Sequence, residues 1–163
     1  MSADHFRSLY DYHFTLNRKL WDECIVPLTD DQFMRKVDYG VGSVRNQVTH
    51  LLNIDDRWFS GLRGEPVPDF IKYEDYVDRA IIRAKWDGVI TRMQAYLKDL
   101  QDDALDSQPF MEPDKDPTAL WQVLLHVANH GTDHRAQLLR ILNELGVKTF
   151  PQDYIIYSWE HRP

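Results

Sequence analysis

Leu-Leu-His-Val-Ala-Asn-His-Gly-Thr-Asp-His-Arg, residues 124–135, decides how this chain is read. It carries His126, His130 and His134, each four residues after the last. Successive fourth residues of a helix differ by only about 40° around its axis, so such side chains stack on one face with Cβ atoms ~6 Å apart. Two imidazoles so placed can reach one metal ion, because neutral histidine nitrogen is a common ligand at ~2.0–2.1 Å. A useful site needs a third ligand from elsewhere, and His50 stands far upstream inside another helical pattern.

Outward from that stretch, apolar residues recur at helical spacing. Leu120, Trp121, Leu124, Val127, Ala128, Leu138, Leu139, Ile141, Leu142 and Leu145 share one helix, with Asp116 as its cap, Pro117 in its first turn and Gly146 as its stop. Ser43 is the expected N-cap of a helix that carries His50 and runs to Leu62, stopped by Gly61 and Gly64. A first helix is expected from Asp4 to Val26, ended by Pro27, with His13 and Asn17 as polar interruptions of its apolar stripe. Those two either lie at the stripe's edge, are satisfied inside the core, or belong to a functional pocket. Thr29 and Gln32 form a capping box for a short turn of helix. A further helix is expected from Tyr73 or Glu74 to Leu105, weakened at Gly88. The tail from Phe150 to Pro163 is too apolar for solvent and should form a short helix packed on the rest. No strand alternation, repeat or linker appears, so the chain reads as one all-α domain over residues 1–163, a four-helix bundle with a short C-terminal helix.

Composition narrows the function. A net charge of −7 argues against a nucleic-acid surface, which needs a basic patch to displace counterions. The single cysteine, Cys24, excludes an internal disulfide framework and fits a reducing cytoplasm. The charged, polar N-terminus predicts no signal peptide, and no apolar run reaches membrane-spanning length.

The histidines sit amid Leu and Val on a helix that must bury much of its surface, and bundle interiors are where facing side chains build metal sites. The expected ligands are His50, His130 and His134. Three nitrogens leave one coordination position open, which is the catalytic pattern. His126, one turn earlier, reads as a pocket residue or as core packing. Asn46 and Asn53, one turn either side of His50, either orient its ring or are solvated. Asp133 and Arg135 flank a ligand and are read as helix-surface or interface charges. Rival motifs fail: a zincin would need Glu where Val127 stands, a di-iron bundle would need Glu-x-x-His pairs that are missing, and Cys24 lies in a core stripe with no nucleophile signature.

The sequence resembles the DinB/YfiT-like family of bacterial four-helix metalloproteins. The resemblance is carried by Gly42-Ser43, by Val48-Thr-His-Leu-Leu-Asn-Ile-Asp-Asp-Arg-Trp58, by His126-Val-Ala-Asn-His-Gly-Thr-Asp-His-Arg-Ala-Gln137 and by Asp153-Tyr-Ile-Ile-Tyr-Ser-Trp-Glu160. Ala136 stands where the family usually has Gly. The resemblance implies an up-down-down-up order of helices, often a homodimer, and a three-histidine site that maps onto His50, His130 and His134, with zinc or nickel as the usual ion. It also implies that the protein is related to enzymes using a low-molecular-weight thiol such as mycothiol or bacillithiol. The family's name refers to induction by DNA damage, yet the acidic chain gives no reason to expect DNA binding.

Two functions of different class follow. One is a metal-dependent enzyme acting on a small molecule by thiol transfer or hydrolysis, with His126, His13 and Tyr12 as candidate proton-transfer residues. The other is a non-catalytic metal- or ligand-binding protein of a stress response.

Overall fold

The computed structural model describes residues 1–110 and 117–161. Along the chain come α1 (Ala3–Leu20), α2 (Asp30–Met34), α3 (Val44–Leu62), α4 (Arg79–Asp99), α5 (Leu120–Glu144) and α6 (Tyr154–Glu160). Apart from an isolated bridge between Phe110 and Thr118, the described residues form no strand, and the fold is all-α. Among the described residues no helix is long and apolar enough to cross a membrane.

Local chemistry sets the helix starts. The Ser43 hydroxyl accepts from the Asn46 amide at 3.0 Å and opens α3. Thr29 and Gln32 cap α2 reciprocally. The first helix begins at Ala3, capped by Ser2 and His5, and does not run on regularly to Val26. Its last turn widens into a π-turn over Trp21–Ile25, where the Val26 amide donates to Trp21 O at 2.9 Å. That turn brings Trp21, Cys24 and Ile25 all into the core.

Three helix limits differ from those expected. The helix expected from Tyr73 or Glu74 starts only at Arg79, because the Asp78 carboxylate accepts from the Ala80 amide at 2.7 Å and caps there. Tyr73–Asp75 forms a separate 3-10 turn. The same helix ends at Asp99, not Leu105, and the Arg7 guanidinium donates to the carbonyls of Leu97 and Leu100 at 2.9 and 3.0 Å. Gly88 lies inside an unbroken α4. Pro117 precedes α5 rather than opening it: the helix starts at Leu120, where the Leu120 and Trp121 amides donate to Ser107 O and Leu105 O. The Asp116 cap lies outside the described residues. Gly61 falls within α3, and Gly64, with φ +69°, lies just beyond its end.

The four long helices pack side by side, and their contacts give the directions. Arg7, early in α1, meets the end of α4, whereas Trp21 beyond its end meets Trp86 with ring centroids 6.1 Å apart, so the two are antiparallel. Asp55 meets Trp86 and Phe59 meets Tyr96, so α3 and α4 run parallel. Gln47 meets Gln137 while Trp58 meets His126, so α3 and α5 are antiparallel. Tyr10 donates to Leu124 O and Asn17 reaches Arg135, so α1 and α5 are parallel. The core between them is apolar and aromatic, with Phe6, Tyr10, Leu51, Phe59, Trp86 and Met93 fully buried. The tail folds back as expected: α6 sets Tyr154 and Tyr157 edge-on against Tyr12, with centroids 5.2 and 5.4 Å away.

One polar network crosses this core. Arg135 is 0% exposed, so its reading as a surface charge is wrong. The turn of α5 that carries it faces α1. Its guanidinium donates to Asn17 Oδ1 at 2.9 Å, Thr132 Oγ1 at 3.0 Å and Gln152 Oε1 at 3.2 Å, and stacks over the Tyr12 ring. His13, also fully buried, places Nδ1 3.3 Å from Arg135 Nη1 and Nε2 3.6 Å from Asp55 Oδ2. Asp55 accepts from Trp86 Nε1 at 3.1 Å. Burial lowers the Arg135 pKa, and Tyr12 and Asp55 oppose that shift.

Helix α5 comes this close to His13 because residue 131 has no side chain. A Cβ on Gly131 would lie 2.6 Å from His13 Nδ1. Gly131→Ala should therefore destabilise the protein by about 1–3 kcal/mol despite alanine's better helix propensity, read from urea denaturation. A stabilised variant would show that the α1–α5 contact is looser than described.

Candidate metal centre

Helices α3 and α5 face each other, and their imidazoles meet between them. His50 Nε2 and His130 Nε2 are 3.3 Å apart. The His134 ring lies 4.4 Å from that of His50 and 4.2 Å from that of His130, centroid to centroid. One ring nitrogen from each of the three falls within 4.8 Å of the others, and each residue is half-buried. Among the described residues no Cys, Asp, Glu or fourth His joins the group.

The donor set fits a divalent metal ion. Nitrogens bound tetrahedrally at ~2.0–2.1 Å are about 3.3–3.4 Å apart, the spacing already present between His50 and His130. The charge state fits as well. Burial, and then His134 beside it, pushes His50 down to about 4. Burial pushes His130 down to about 4, helped by His134, His50 and His126 and opposed by Asp55. His134 is lowered by burial, with Asp133 pulling the other way. Neutral imidazoles near pH 7 present the lone pairs that a cation needs.

Among the described residues only one of the three has its outer nitrogen held. His134 Nδ1 lies 2.9 Å from Gln47 Oε1. The Gln47 amide donates to Gln137 Oε1 at 2.9 Å, and the Gln137 amide donates to Asp133 Oδ2 at 3.1 Å. His50 Nδ1 and His130 Nδ1 are buried without a hydrogen-bond partner among the described residues. Asn46 and Asn53 do not orient His50. The Asn46 amide donates to Val41 O at 2.7 Å, and Asn53 exchanges two hydrogen bonds with the Ile71 backbone.

The candidate proton-transfer residues separate. His126 is exposed, 6.0 Å from the His130 ring and edge-on to Trp58 at 5.3 Å. His13 is enclosed in the buried network behind α5. Tyr12 donates to Gln152 O at 2.6 Å and belongs to the α6 contact. Phe70 also borders the cluster, its ring 6.1 Å from His50 and covered by the Arg57 guanidinium.

A model of the DinB family matches residues 1–162. The chain belongs to the DinB family. It is also similar to Protein DinB of Bacillus subtilis (strain 168), at 21% identity over 163 residues, covering 95% of this chain and 94% of that protein. In this DinB chain, sequence reading overlooked Gln47 and quoted Gln137 only as part of the family motif, without a role. A signal was present: Gln47 lies three residues before His50 and Gln137 three after His134, which puts each on its histidine's face of the helix.

The lowered pKa values make stability depend on pH in one direction. Between about pH 4 and pH 6.5 the unfolded chain binds protons that the folded imidazoles do not. Stability of the metal-free protein should therefore rise with pH through that window and level off above it as far as these groups are concerned. Urea midpoints measured from pH 4.5 to pH 7.5 test this, and the climb should shrink in a His50→Gln/His130→Gln double variant. An identical climb in that variant would assign the effect to other groups.

Proposed function

We propose that this protein binds one divalent ion, zinc or nickel, through His50, His130 and His134, and uses the remaining coordination position to act on a small molecule. The observation that carries this reading is the cluster of three half-buried neutral imidazoles with no further ligating residue beside them among the described residues. A site that served only to hold the fold together would normally close its fourth position with another protein ligand. Membership of the DinB family supports a metal-binding protein.

When bound, the ion would supply a coordinated water or thiol of lowered pKa, or polarise a carbonyl. The chain's own residues do the rest. His134 is steadied by Gln47, and Trp58 holds the His126 ring at the exposed edge of the cluster. There His126 can exchange a proton with a group at the open position. Phe70 beside His50 and Trp58 beside His126 supply apolar walls. Transfer of a low-molecular-weight thiol to an electrophile, or hydrolysis, are the reactions that such a site suits.

Elemental analysis of untagged protein tests the ligands. Wild type should carry about one equivalent of metal and His134→Ala close to none, whereas His126→Ala should keep its metal. Equal metal in wild type and His134→Ala rejects the assignment. On metal-loaded protein, a panel of thiols with electrophiles and a panel of hydrolase substrates should reveal turnover that falls by about 10²-fold in His126→Ala. Metal binding with no turnover in either panel would leave a non-catalytic metal-binding protein.

A further inference from the structure

Resting on the metal site proposed above, we propose that Asp133 fixes the tautomer of His134 from a distance, through the side-chain amides of Gln137 and Gln47. The relay holds the proton on Nδ1 and leaves Nε2 as a bare lone pair for the ion. Asp133, Gln137 and Gln47 are thereby positioning residues, in a chain that leaves α5, crosses to α3 and returns to α5.

Each link has only one workable direction. An ionised carboxylate accepts and cannot donate, so Asp133 must be met by the amide nitrogen of Gln137, 3.1 Å away. That turns Gln137 Oε1 toward Gln47, where the amide nitrogen of Gln47 donates at 2.9 Å. Gln47 Oε1 is then the atom left facing His134 Nδ1, also at 2.9 Å. A carbonyl oxygen only accepts, so Nδ1 carries the hydrogen. Flipping both amides would set Gln137 Oε1 against the Asp133 carboxylate and a Gln47 N–H against Nδ1. The proton would then be driven to Nε2, the atom that a ligand must keep free.

The Gln47 end of the relay is also insulated, whereas the Asp133 end is exposed. Gln47 is 0% exposed, and Gly40 closes over the amide pair. A Cβ at Gly40 would come within 2.5 Å of Gln47 Nε2 and 2.7 Å of Gln137 Oε1, and the backbone there has φ +56°, which glycine tolerates best. Water is thus kept from offering Gln47 a different partner. No comparable chain reaches His50 or His130, whose outer nitrogens are buried without partners among the described residues.

The experiment reads the tautomer without metal. Histidine ¹⁵N–¹H correlation spectra of metal-free protein at neutral pH should show His134 protonated at Nδ1, and zinc affinity is measured in parallel by competition with a chelating dye. Gln47→Leu should lose the preference and about 10–100-fold in zinc affinity. Asp133→Ala, at an exposed position, should shift His134 toward the Nε2–H form and weaken zinc by about 10-fold with the fold intact. Gln47→Glu supplies the rescue: its carboxylate also only accepts, so the Nδ1–H form should persist and become insensitive to Asp133→Ala. Finding Nε2–H in the metal-free wild type, or Asp133→Ala with unchanged tautomer and unchanged zinc affinity, overturns the relay. Failure of the metal site shows separately, as zinc content that His134→Ala does not alter, because the tautomer is read with no metal present.

Discussion

The antiparallel apposition of α3 and α5 is the constraint on which the rest depends. It brings residue 50 of one helix opposite residues 130 and 134 of the other, and it removes enough water to keep their imidazoles neutral. Desolvation is the largest cause at each of the three rings, ahead of any neighbouring charge. The same surface that costs the charged form its hydration offers a cation three ready lone pairs. Gln47 with Gln137 pins the register at one end, and Trp58 with His126 pins it at the other.

That register is backed by a second, polar layer buried in the core. Arg135, His13, Asn17 and Asp55 are all at most 1% exposed, and between them they tie α1, α3 and α5 together, with Trp86 adding α4. Buried charge networks of this kind are poor sources of net stability, because desolvation offsets most of the attraction. They are better at excluding alternatives: a helix rotated or slid out of place would leave a buried guanidinium without partners. Neighbouring residues of α5, about 100° apart around its axis, therefore meet different helices. His134 turns toward α3 and the histidine cluster, whereas Arg135 turns toward α1 and the core. Gly131 lets the two helices approach closely enough for this to work.

The site consequently has a rigid side and an open side. Toward the core, Gln47 and the buried network leave little freedom. Toward solvent lie the exposed His126, the half-buried Trp58 and the exposed Phe70, which offer aromatic surface and a titratable ring at the edge of the cluster.

Much of this was legible in the residues alone. Periodicity placed the helices, the Ser43 and Thr29 caps were readable from short motifs, and spacings of four put His130 and His134 on one face, since these features depend only on local geometry. The limits of α4 and the start of α5 were misplaced because the contacts that set them come from distant parts of the chain or from caps that do not interrupt the apolar pattern. Arg135 misled for a related reason: charge predicts exposure unless partners exist, and two of its partners lie 118 and 17 residues away. By itself, then, the sequence determined an all-α chain and the residue types able to hold a metal ion. Only the tertiary structure decided that His50 meets the other two, which histidine nitrogen is held, and which charges are buried, because all three depend on how one helix face is rotated against another and not on the order of residues within either.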